Sequence, residues 1–89
     1  MTERITDTGQ MMMLKKLSEM KKGEDGEIYN ILAKGEIRKR LIDFGILKGC
    51  QFRVIRKAPL GDPIEIRINN FLLSLRLEEA ELIQVRQKL

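Results

Sequence analysis

Ile64-Glu65-Ile66-Arg67-Ile68, followed by Asn69-Asn70 and then Phe71-Leu72-Leu73-Ser74-Leu75-Arg76-Leu77, constrains this chain more than any other stretch. Isoleucine at every second position turns one face of a strand apolar and leaves the charged side chains on the other. Asparagine tolerates the positive φ that a two-residue primed turn requires, so the run predicts a tight antiparallel hairpin. An 89-residue chain can fill only one core, so that hairpin belongs to a single domain. At 43% hydrophobic and 34% charged the chain reads as globular rather than disordered. Aromatics make up only 4%, so the core must be aliphatic.

Residues 1–13 lack periodicity and read as a flexible N-terminal extension, ending in Met11-Met12-Met13 before Leu14. Adjacent methionines do not converge on one ion, so soft-metal chemistry is disfavoured there. Lys22 to Gly26 is a turn cluster, and Glu27 to Ala33 a strand. Glu36 to Gly45 reads as a short amphipathic helix, with Ile37, Leu41 and Phe44 on one stripe and Ile42 well round the wheel from Ile37. Gly45 sits where a left-handed C′ residue is wanted, and Ile46 where a Schellman motif places its apolar contact. Further strands are expected at Gln51 to Lys57 and around Ile83 to Val85, with one helical turn over Glu78 to Glu81. Residues 14–89 are therefore expected to form a mainly β domain. Its form is a small, partly open SH3-like barrel of about five strands, with one short helix between the first two and a helical turn before the last. A split α+β sandwich is the runner-up.

The chain has no histidine and one cysteine, Cys50. That removes the usual general base, the imidazole zinc sites and any internal disulfide. Phosphate-loop and dinucleotide fingerprints are absent, and Asp62 in its Gly/Pro loop is a turn former before it is an acid catalyst. The chain is not expected to be an enzyme, to bind a small-molecule substrate or to need a cofactor. No apolar run approaches the roughly 20 residues of a membrane span, so direct membrane insertion is not expected either.

Charge is unevenly spread. Lys34, Arg38, Lys39, Arg40, Lys48, Arg53, Arg56 and Lys57 face only Glu36 and Asp43 within residues 34–57, a net +6 against +4 for the whole chain. A localised basic face suits an acidic partner. Nucleic acid is the weaker candidate, because single-strand readers interleave aromatics with their cations and only Phe44 and Phe52 are available, both assigned to core faces. The loop from Ala58 to Pro63 is stiffened by two prolines and holds Leu60 at its tip, either presented to a partner or folded over the barrel mouth. Short barrels with open edges also pair with one another, so a homo-oligomer is a further expectation.

Gly26-Glu27-Ile28, Arg40-Leu41-Ile42-Asp43-Phe44-Gly45-Ile46, Lys48-Gly49-Cys50, Ala58-Pro59-Leu60-Gly61-Asp62-Pro63-Ile64-Glu65-Ile66, Leu73-Ser74-Leu75-Arg76, Glu79-Ala80 and Ile83-Gln84-Val85 follow one another in a familiar order. From about Leu14 to Val85 the chain resembles the ferrous iron transport protein A family (FeoA). The resemblance implies an SH3-like barrel, related to the C-terminal domain of iron-dependent repressors. It implies a small cytoplasmic accessory protein of bacterial ferrous iron uptake. Its expected partner is the membrane ferrous iron transporter with a cytosolic GTPase domain (FeoB), reached through that cytosolic region. A metal-responsive regulatory domain is the alternative, and weak association with Fe2+ or another divalent metal is implied by the family alone. Carried over by position, the resemblance points to the helix residues Arg40, Leu41, Asp43 and Gly45 and to the loop Pro59 to Pro63. Combined with the residue-level reading, the expected contact residues are Arg38, Lys39, Arg40, Ile42, Pro59, Leu60, Gly61, Asp62 and Pro63, forming one docking surface.

Overall fold

The computed structural model describes residues 13–88. Six strands, β1 (Met13–Lys16), β2 (Asp25–Ile31), β3 (Gln51–Lys57), β4 (Ile64–Ile68), β5 (Phe71–Leu75) and β6 (Ile83–Gln87), alternate with helix α1 (Gly35–Asp43) and the single turn α2 (Leu77–Ala80). Short 3-10 turns lie at Leu17–Glu19 and Pro59–Gly61. All strands join one antiparallel sheet in the order β1-β6-β2-β3-β4-β5.

The hairpin forms as its alternation dictates. Ile68 pairs with Phe71, and Asn69 and Asn70 take φ of 50° and 69° in the turn between them. Ile64, Ile66 and Ile68 are buried, while Glu65 and Arg67 face outward. The second strand is shorter than expected, ending at Leu75 because Leu77 opens α2. Its inner face is incompletely covered: Leu75 is buried, Leu73 half-buried and Phe71 exposed, while Leu72 lies exposed on the outer face beside Arg67.

The sixth strand departs from the expected five. Met13-Leu14-Lys15-Lys16 has no alternating pattern and buries none of its side chains, yet it pairs with β6 from Met13↔Gln87 to Lys16↔Gln84. Backbone hydrogen bonding to an available edge, not a hydrophobic face, makes it a strand. The rest of the expected extension lies outside the described residues.

Helix α1 ends as its sequence asks. Gly45 has φ +97°, its N–H bonds the Ile42 carbonyl, and the Ile46 N–H reaches back to Leu41, completing a Schellman motif. The expected apolar stripe is only partly used. Leu41 is fully buried, but Ile37 and Phe44 stay more than a third exposed, since only the last turn of this nine-residue helix, at Leu41, reaches the core. Phe44 is therefore not a core residue, whereas Phe52 is.

Gly26 lies inside β2 rather than in the preceding turn, which closes earlier, with the Lys21 N–H donating to the Glu24 side chain. A Cβ at Gly26 would meet the Arg86 carbonyl at 2.8 Å and the Phe52 ring at 2.9 Å, so β6 and the aromatic ring close down on a strand without a side chain there. Replacing Gly26→Ala is expected to destabilise the domain by about 1–3 kcal/mol, read as a lower urea midpoint at unchanged slope.

Candidate functional site

Pro59 follows an extended Ala58 (φ −69°, ψ 165°), and Asp62 before Pro63 is also extended, as a residue preceding proline should be. The loop closes on itself: the Gly61 N–H donates to the Ala58 carbonyl and the Ala58 N–H to the Pro63 carbonyl. Leu60 at the tip is 97% exposed, so it does not fold back over the barrel mouth. It also holds φ 72°, ψ 6°, the left-handed region that non-glycine residues occupy at a cost of about 1 kcal/mol or more. A leucine there gains no burial to offset that strain.

The expected helix residues divide. Lys39 is exposed. Arg38 donates to the Ile31 carbonyl at 2.9 Å, tying α1 to the end of β2. Arg40 is engaged with Glu79, a carboxylate only 4% exposed, so it serves the fold first. Ile42 is half-buried against the core edge, leaving little of it to offer a partner. Cys50 is also half-buried beside the core, its Sγ 3.8 Å from the Gly45 carbonyl.

Loop and helix meet through α2. The second oxygen of Glu79 accepts the Arg76 N–H at 2.9 Å, and Asp62 Oδ1 accepts the Leu77 N–H at 3.1 Å. Arg76 at the N-cap position has no side-chain oxygen, so the helical turn is capped by its own Glu79 and by the loop acid Asp62. Arg40 of α1 and Asp62 of the loop thus grip the same turn. In sequence, Glu78 to Glu81 reads as a helical turn and Asp62 as a turn former. Burial of Glu79 is a tertiary outcome with no local signature.

The basic segment is largely satisfied internally. Arg53 makes two hydrogen bonds to Asp25, the shorter 2.6 Å, and Arg56 bonds Glu65. Lys57 donates to the Ser18 and Met20 carbonyls, and Lys48 lies 6.0 Å from the centre of the Tyr29 ring. A groove of about 470 Å³ opens on the sheet between Asp25, Arg53, Arg67, Asn70 and Lys88, and one of about 280 Å³ on α1 between Glu36, Ile37, Lys39, Arg40 and Asp43. Among the described residues no three His, Cys, Asp or Glu side chains come together as a metal site. No described helix is long and apolar enough to cross a membrane.

Residues 15–87 match the model of the FeoA domain family. A Porphyromonas gingivalis Fe(2+) transport protein A/Fe(2+) transporter FeoB fusion protein is 37% identical over 70 residues, covering 79% of this chain but only 8% of its own length. The solution structure of FeoA from Chlorobium tepidum is 45% identical, with a TM-score of 0.76 over 82% of this chain and 70% of that one. A zinc-complexed FeoA from Stenotrophomonas maltophilia, described as a procaryotic SH3 domain protein, superposes with a TM-score of 0.70 at 27% identity, covering 80% of this chain and 88% of that one. The expected SH3-like architecture is thereby met. A manganese-dependent transcriptional repressor shares the fold at 20% identity and a TM-score of 0.78, over 89% of this chain and 44% of that one.

Two outcomes are expected from the site's electrostatics. Arg40→Ala, which strands the buried Glu79 carboxylate, should cost about 1–2 kcal/mol in chemical denaturation, the half-exposed guanidinium losing less than a fully buried partner would, while Lys39→Ala should be neutral. The Arg53 hydrogen bonds hold the Asp25 carboxyl below its usual range. A depressed folded-state pKa contributes stability above the unfolded value of 3.8 that is lost as pH falls through the folded one, so Asp25→Asn should flatten the acid limb of a stability–pH curve.

Proposed function

This chain belongs to the FeoA family, and from that premise we propose that it is a cytoplasmic docking adaptor or regulator of the membrane ferrous iron transporter FeoB, acting by contact and not by catalysis. The observation that carries the reading is Leu60. A large apolar side chain is held almost wholly in water, in a backbone conformation that opposes it, on a loop closed across its base. Such a residue is explained by a partner that buries it, and a pre-formed loop loses little entropy on binding. The Porphyromonas gingivalis fusion supports the identity of that partner, since joining the two activities in one polypeptide keeps them adjacent. In this reading the contact residues are Leu60 with Pro59, Gly61 and Pro63 on the loop and Arg38 and Lys39 on α1, the loop and helix being linked through α2. Arg40 and Asp62 position this surface, and Ile42 backs it from the core edge.

An NMR titration with the cytosolic region of the cognate transporter, at two salt concentrations, tests this. Shifts are expected to cluster on residues 59–63 and on Arg38 and Lys39, with salt weakening only the helix share. Leu60→Asp should abolish the loop shifts while leaving the fold intact, because aspartate tolerates positive φ better than leucine. Leu60→Gly should be neutral to about 1 kcal/mol more stable than the parent and should also lose binding. Normal iron uptake by a folded Leu60→Asp variant would overturn the loop's role. A metal-responsive domain would instead gain thermal stability on anaerobic addition of Fe2+ or Mn2+ without any transporter present.

A further inference from the structure

Among the described residues the sheet has two edges in its hydrogen-bond order, β1 and β5, and they are treated differently. Edge β1 ends in Lys15 and Lys16, the charged side chains that blunt an edge against pairing. Edge β5 reads Phe-Leu-Leu-Ser-Leu, with no charge, no proline and no glycine. Phe71 is 41% and Leu72 49% exposed. In a two-residue hairpin the closing pair Ile68↔Phe71 exchanges hydrogen bonds, and so do Ile66↔Leu73 and Ile64↔Leu75. The N–H and C=O of Leu72 and Ser74 therefore point away from β4. None of the backbone hydrogen bonds made between elements of the described residues reaches them.

We propose that β5 is a self-association edge at which two copies of this chain pair antiparallel about Leu73. In that register Leu72 of each copy exchanges hydrogen bonds with Ser74 of the other, using the groups that β4 leaves free. Leu73 meets Leu73 of the second copy as a close, non-hydrogen-bonded pair, and Phe71 covers Leu75 of the second copy. The strand is self-complementary, because no ionisable side chain lies between Ile68 and Arg76 and no like charges meet at the centre. A second copy, and not an unrelated strand, is the fitting occupant because a two-fold β5–β5 pair closes both open edges at once and cannot propagate. The seam is one short strand, below the area of a permanent interface, so a concentration-dependent dimer is expected.

Sedimentation velocity on the full chain between roughly 10 µM and 1 mM, paired with amide exchange by NMR, tests the proposal. The expected result is a dimer that grows with concentration while protection at Leu72 and Ser74 rises in step, with Phe71, Leu73 and Leu75 protected throughout. Ser74→Pro removes an outward N–H and leaves the β4–β5 ladder intact, the one setting in which a strand tolerates proline. Losing that bond in both copies should weaken the dimer about tenfold to a hundredfold. If Ser74→Pro fails to fold, Leu72→Lys supplies the charge that β1 already carries and should likewise give a monomer. A chain that stays monomeric at 1 mM overturns the proposal. So does a dimer in which Leu72 and Ser74 still exchange freely, whether it pairs elsewhere or through residues 1–12.

Discussion

A carboxylate with 4% exposure survives beside an aliphatic core only when its oxygens are engaged, and Glu79 engages both. One accepts the Arg76 N–H and shapes the first turn of α2, and the other holds the Arg40 guanidinium of α1. Arg38 fixes the same helix to β2, and Asp62 completes α2 from the loop side. Without the buried acid, the helix and the loop would be separate features attached to different parts of the sheet. With it, a positively charged helix and a stiff apolar tip are held in one fixed relation.

What could be read from sequence is what local chemistry decides. The Ile64–Ile68 alternation, the Asn69-Asn70 turn and the Gly45 cap each follow from residues within a few positions of one another, and each formed as its pattern requires. The short, sequentially paired strands pointed to an SH3-like barrel, and the family order of motifs implied the same. What escaped was decided by distant partners. Strand β1 exists because β6 offers it hydrogen bonds, and Gly26 belongs in a strand because Arg86 and Phe52 close over it. Arg40, though still half-exposed, is engaged by an acid 39 positions later. The same holds for charge: a net +6 over residues 34–57 reads as an open basic face until Asp25, Glu65 and Glu79 arrive from elsewhere in the chain. Local composition records which charges a segment carries, but only the fold decides which of them still face a partner.

Leu60 marks the opposite case, in which the local rule is broken and nothing in the described domain repays it. Left-handed backbone and an uncovered isobutyl group are both unfavourable in the free protein, and the loop's own hydrogen bonds keep it from relaxing. Departures of this kind gather at sites where a protein meets something else. Stability of the free domain alone gives no reason for a leucine at this position.

The pairing of Met13 with Gln87 has a consequence for how such a domain is carried. Its first and last described strands are neighbours, so a polypeptide joined at either end leaves from nearly the same point and has the same distance to span. Tethered by a short flexible linker, a module of this shape meets its target at an effective concentration in the millimolar range. Under that regime a small contact surface is sufficient, and tight affinity would only slow release. The adjacency of the first and last described strands thus suits a module whose contacts are weak, fast to exchange and dependent on being held close.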